Sequence, residues 1–115
     1  LSELETDKSR GLSGAEADYL RGMGASGLGV EAAARTAAVL STGAEGAIPL
    51  KEGYAAAMAA QNTSYACVEK NIRSMVGKLQ AGACGEYQAL MGGLPAERPS
   101  NELFLRRLAR RILEW

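Results

Sequence analysis

The sequence predicts an all-α fold, a compact bundle of about six helices containing a helix-turn-helix, on three observations. Apolar residues make up 47% of the chain but aromatic ones only 5%. Much of the apolar share is alanine, which favours helices and buries little area per residue. Nowhere do β-branched and polar residues alternate over several positions, as a half-buried strand requires. Glycine and proline cut the chain into pieces of helical length. At 115 residues, one domain is expected. Its core must come from closely packed helices, with Leu, Ile, Val and Met supplying the bulk.

The elements follow in order. The start, "LSELETDKSR", lacks an apolar h-region and reads as a solvated linker or tail over residues 1–12. The helical domain occupies 13–115. Its first helix, 13–24, takes Ser13 as cap, carries Glu16 and Asp18 where the helix dipole favours acid, and stops at glycine. An alanine-rich helix over 30–41 places Val30, Ala34, Ala37 and Ala38 on one side, and 41–47 is a loop. Pro49 suits the first position of a helix over 49–60, where its missing N–H would be unsatisfied anyway. Leu50, Tyr54, Ala57 and Met58 recur there at helical spacing. "QNTS" (61–64) then breaks the chain: Asn62 can turn left-handed, and Thr63 or Ser64 can cap a new helix. That helix, 64–80, lines up Val68, Ile72, Met75, Val76 and Leu79 as a buried stripe. A short helix over 86–93 and a two-proline loop follow. The last helix, 101–114, buries Phe104, Leu105, Leu108 and Ile112, with Trp115 as a core fastener or a partner contact.

The chemical inventory is poor. The chain has no histidine and two cysteines, Cys67 and Cys84, without a CxxC pair, so zinc is not signalled. Two free thiols in a reducing cytoplasm are expected, and no cofactor. Nucleophile schemes that need histidine are excluded. Glu97 and Glu102 flank a proline without a partner for either, so no enzyme is expected. No apolar run approaches the roughly 18 residues of a membrane span.

Net charge is zero, but the charge is unevenly placed. Residues 1–48 carry four basic side chains (Lys8, Arg10, Arg21, Arg35) against seven acidic ones, and residues 49–115 carry nine against six. A DNA phosphate meets the local balance, which in the C-terminal part is positive.

A helix-turn-helix needs a short turn, small residues where its helices cross, and a polar outer face on the second helix. "YAAAMAAQNTSYACVEKNIRSMV" (54–76) meets these needs within a unit at about 49–80. Alanines 55–57 and 59–60 permit close approach. The outer face offers Tyr65, Glu69, Lys70, Arg73, Ser74 and Lys78. Arg or Lys can pair with guanine, Glu can accept from cytosine, and Ser can reach bases or phosphates. A capped helix pair with a charged face also occurs in all-α proteins that bind no nucleic acid. The arginines of the last helix, Arg106, Arg107, Arg110 and Arg111, read either as phosphate contacts or as a solvated face complementing the helix C-terminus. Cys67 reads as a packed or tolerated residue, or as a redox-sensitive thiol.

In order and spacing, "IPLKEGYAAAMAAQNTSYACVEKNIRSMV", "YQALMGG" and "RPSNELFLRRLARRI" resemble the C-terminal effector domain of the master sporulation response regulator of endospore-forming bacteria. The similarity is ungapped over 48–76 and resumes over 86–112; upstream it is limited to helix pattern and Arg35. The resemblance implies a sequence-specific, cytoplasmic, nucleoid-associated transcription regulator on double-stranded DNA. It implies as well a homodimer on tandem sites and a preceding receiver domain. Glu69, Lys70 and Arg73 fall on its base-reading positions. Ser64, Tyr65, Ser74, Lys78, Arg106, Arg107 and Arg110 are the backbone contacts expected from their own positions and chemistry. The chain departs from the family at three points in the recognition helix. Lys70 stands where the family has arginine, which keeps the charge but loses the bidentate fork. Cys67 also replaces an arginine, and Ala66 a polar residue. The alternative is a protein-interaction module on the same fold with a degenerate DNA-reading face.

Overall fold

The computed structural model describes residues 14–44 and 46–115, and all regular structure among them is helical. The expected cap at Ser13 and the tail over 1–12 lie outside the described residues. Residues 14–22 form α1, followed by α2 (Leu28–Leu40), α3 (Leu50–Gln61), α4 (Tyr65–Gly82), α5 (Gly85–Met91) and α6 (Asn101–Leu113).

Helix α2 is the centre of the bundle, packing against α3, α4 and α6. The sequence pattern expected one buried side on this helix. Instead Gly29, Val30, Ala32, Ala33, Ala34, Thr36, Ala37 and Leu40 are all buried, while Ala38 is only partly covered. Alanine explains the difference: side chains this small let neighbours close in around most of the helix. Two glycines set the nearest approaches. A β-carbon on Gly29 would lie 2.4 Å from the Asn71 carbonyl oxygen of α4, so backbone meets backbone there. On Gly53 of α3 it would lie 2.6 Å from Thr36 Cγ2, beside the Thr36 hydroxyl that donates to the Gly53 carbonyl at 3.3 Å.

Pro49 is the N-cap of α3, with ψ 145°, and not its first helical residue. The ring fixes only φ, near −65°, which suits either position, and the missing donor harms neither. Helix α3 ends on Asn62 in the left-handed region (φ 50°, ψ 55°), and α4 begins after Ser64, whose hydroxyl oxygen accepts from the Cys67 N–H at 3.2 Å. The stripe Val68, Ile72, Met75, Val76, Leu79 is buried as its spacing predicts. In α6, Phe104, Leu105 and Leu108 are buried and Ile112 packs at the core's edge. Trp115 is 55% exposed, its ring edge-on to Tyr19 at 5.5 Å between centroids.

Candidate nucleic-acid interface

The surface of interest is the side of α4 turned from the core. Lys70, Ser74 and Lys78 stand one turn apart along it, with Arg73 alongside, all exposed. This follows from the stripe beneath: five apolar residues at 3- and 4-residue spacing dictate which positions point outward. Ser64 is exposed at the N-cap, and Tyr65 is 44% exposed.

The base of α4 is clamped to α3 and α6 by polar contacts. The Asn101 side-chain amide donates to the Tyr54 hydroxyl at 3.1 Å and to the Glu69 backbone carbonyl at 3.0 Å. The Glu69 carbonyl can only accept, which fixes the orientation of the amide. Burial holds the Tyr54 hydroxyl above its ordinary pKa, so it stays protonated. The Tyr54 ring meets Tyr65 edge-on at 5.0 Å. Glu69 and Arg73, one turn apart, form an ion pair on the surface.

Replacing Asn101 with alanine is expected to lower stability by about 1–3 kcal/mol, because the Tyr54 hydroxyl would be left buried and unpaired. Thermal melts of Asn101→Ala, Tyr54→Phe and the double variant check this. Removing the hydroxyl should recover part of the loss; strictly additive effects would show that the two groups are not coupled.

The loop between α5 and α6 runs antiparallel along α4. Gln80 donates to the Pro95 carbonyl at 2.6 Å while accepting from the Tyr87 hydroxyl at 2.6 Å, and Pro99 is buried. With Asn101 on Glu69, the loop is fastened at both ends. Between them, Arg98 lies with its Cδ 3.5 Å from where a Gly77 β-carbon would stand. Leu50, Tyr54, Tyr65, Glu69, Arg73, Arg98, Ser100 and Asn101 line an open groove of about 280 Å³.

The structure therefore gathers Tyr65, Glu69, Lys70, Arg73, Ser74 and Lys78 on one helix, with Ser64 as its N-cap. It places the α6 arginines elsewhere. Arg106 pairs with Glu102 at 3.1 Å and donates to the Ile48 carbonyl at 2.9 Å. Arg107 rests near Gly92, at the end of α5, and shares a cleft with Arg110, Arg111 and Ala89. None of these arginines lines the groove beside Arg73. Arg98 and Asn101 carry no role in the sequence reading. Their signal was the run Arg98–Phe104, which marks a loop and a helix start but not the surface they reach.

Cys67 and Cys84 are free thiols. Among the described residues no cluster of His, Cys, Asp or Glu side chains is placed to hold a metal, and no helix is long and apolar enough to cross a membrane. No family model matches this chain, and neither a curated protein nor a solved structure is significantly similar to it.

Proposed function

We propose that this chain is a sequence-specific DNA-binding domain of a bacterial transcription regulator, with α3 and α4 as its helix-turn-helix. One observation carries the reading. A short turn through Asn62 leads into a capped helix whose exposed side presents Lys70, Arg73, Ser74 and Lys78, with its base clamped to α3 and α6 by Asn101. A rigid helix with cations and hydroxyls outward suits the major groove, where arginine pairs with guanine and the flanking groups meet phosphates. In this reading Glu69, Lys70 and Arg73 face bases, and Ser64, Tyr65, Ser74 and Lys78 face the backbone. A homodimer on tandem sites and an upstream receiver domain belong to the same proposal and rest on the sequence resemblance alone.

A second reading, a protein-interaction module with a degenerate DNA face, is favoured by the Glu69–Arg73 pair, which engages two of the three base-facing groups with each other. Binding to a pool of random duplexes across a salt series separates the two. For a DNA reader, wild type enriches a defined motif and binding weakens steeply with salt. Arg73→Ala should then cost about 1–3 kcal/mol at one position of the motif, roughly 5- to 150-fold in affinity. Weak binding without a motif, indifferent to Arg73→Ala, would leave the interaction module standing.

A further inference from the structure

The groove beside Arg73 has a second cation that neither charge counting nor helix pattern singled out. Resting on the DNA-binding reading above, we propose that Arg98 is a DNA-backbone contact, seating a phosphodiester in the groove it shares with Arg73.

Five observations support this. Gly77 lies on the outward flank of α4, one turn beyond Arg73, and the Arg98 Cδ lies 3.5 Å from where its β-carbon would stand. Arg98 therefore lies against the outward side of α4 and shares a groove with Arg73, although it comes from another element. The loop that delivers it is fastened on both sides, by Gln80 to the Pro95 carbonyl and by Asn101 to the Glu69 carbonyl. A side chain presented by a fastened loop brings less loop freedom to be lost on binding than one on a loose loop.

Arg98 is exposed, and no carboxylate among the described residues lies within ion-pair distance of it. The one carboxylate lining the groove, on Glu69, is matched by Arg73, so the groove as a whole is cationic. Finally, the groove is open to solvent beside Tyr65 and Ser100, so a continuous backbone can pass across it. Guanidinium groups bind phosphate oxygens through paired N–H donors.

The test measures affinity of the whole chain for duplexes of random and enriched sequence from low to high salt, for wild type, Arg98→Ala, Arg98→Lys and Arg73→Ala. Arg98→Ala should weaken every duplex alike and lower the slope of log K against log salt by about 0.9, the release from one phosphate. The enriched motif should stay unchanged, and Arg98→Lys should keep the slope. Arg73→Ala, in contrast, should alter the motif. Unchanged melting of Arg98→Ala verifies that folding is intact. A wild type that binds duplex with a slope indifferent to Arg98→Ala overturns the proposal and leaves the DNA reading standing. A wild type that binds no duplex overturns the DNA reading, and titration with inorganic phosphate followed by NMR then decides the groove. Shifts at the Gly77 amide that vanish in Arg98→Ala retain an anion seat there, and no shifts overturn it.

Discussion

Glu16→Gln is expected to raise the stability of this protein at neutral pH and to flatten its pH dependence. Glu16 is 2% exposed in α1, and its Oε2 has no hydrogen-bond partner among the described residues. Burial raises its carboxyl pKa from 4.5 to about 7. Between those values the folded protein holds a proton that the unfolded chain has released. Stability therefore falls as pH rises through this window and levels off above it, where both states are ionised. Such a displacement corresponds to a loss of at most about 3 kcal/mol across the window. Glutamine keeps the shape of the protonated acid, offers one donor more, and never ionises. Melting temperatures of wild type and variant should agree near pH 4.5 and diverge by roughly 10 °C toward pH 8. Parallel curves over that range would show that Glu16 is paired or hydrated in solution.

Gly29→Ala is the second large expectation, a loss of about 2–3 kcal/mol. Alanine should by propensity strengthen a helix by up to about 1 kcal/mol. At Gly29 the added carbon would stand 2.4 Å from a carbonyl oxygen of α4, and neither group can rotate away. Helices α2 and α4 must separate, loosening the apolar contact that surrounds them. The same substitution at Gly77 serves as its control. There the neighbour is the flexible Arg98 stem at 3.5 Å, an ordinary contact. Gly77→Ala should leave stability unchanged or raise it by up to about 1 kcal/mol. Denaturant titrations of both variants give the comparison, and equal effects at the two sites would refute the close approach of α2 and α4.

The contrast between α4 and α2 explains how far the sequence could be read. In α4 the apolar and charged residues differ enough in size and polarity that their spacing names both the buried stripe and the outward side. Alanine gives no such contrast. Along α2, apart from Glu31, Arg35 and Thr36, the positions are alanine, glycine or other apolar residues, and which of them are covered depends on how closely α3, α4 and α6 arrive. The candidate interface divides in the same way. Lys70, Arg73, Ser74 and Lys78 share one helix, so a period of 3.6 residues places them together. The Asn101 bridge to Tyr54 and Glu69 spans three elements, and Arg98 reaches Gly77 from a loop. No local period encodes contacts between residues that distant. The α6 arginines share a helical face by their spacing, yet what stands opposite them is set by α5 and the segment before α3.

The alanine-filled centre has a practical consequence for mapping this protein. Systematic truncation to alanine, the usual way of finding where a fold is held together, changes nothing at Ala32, Ala33, Ala34, Ala37 and Ala57, because those positions are already truncated. All five are 0% exposed. Such a map would show a ring of sensitive residues around a blank middle and suggest a hollow. Enlarging scans, to valine or leucine, would instead find the middle the least forgiving part of the molecule.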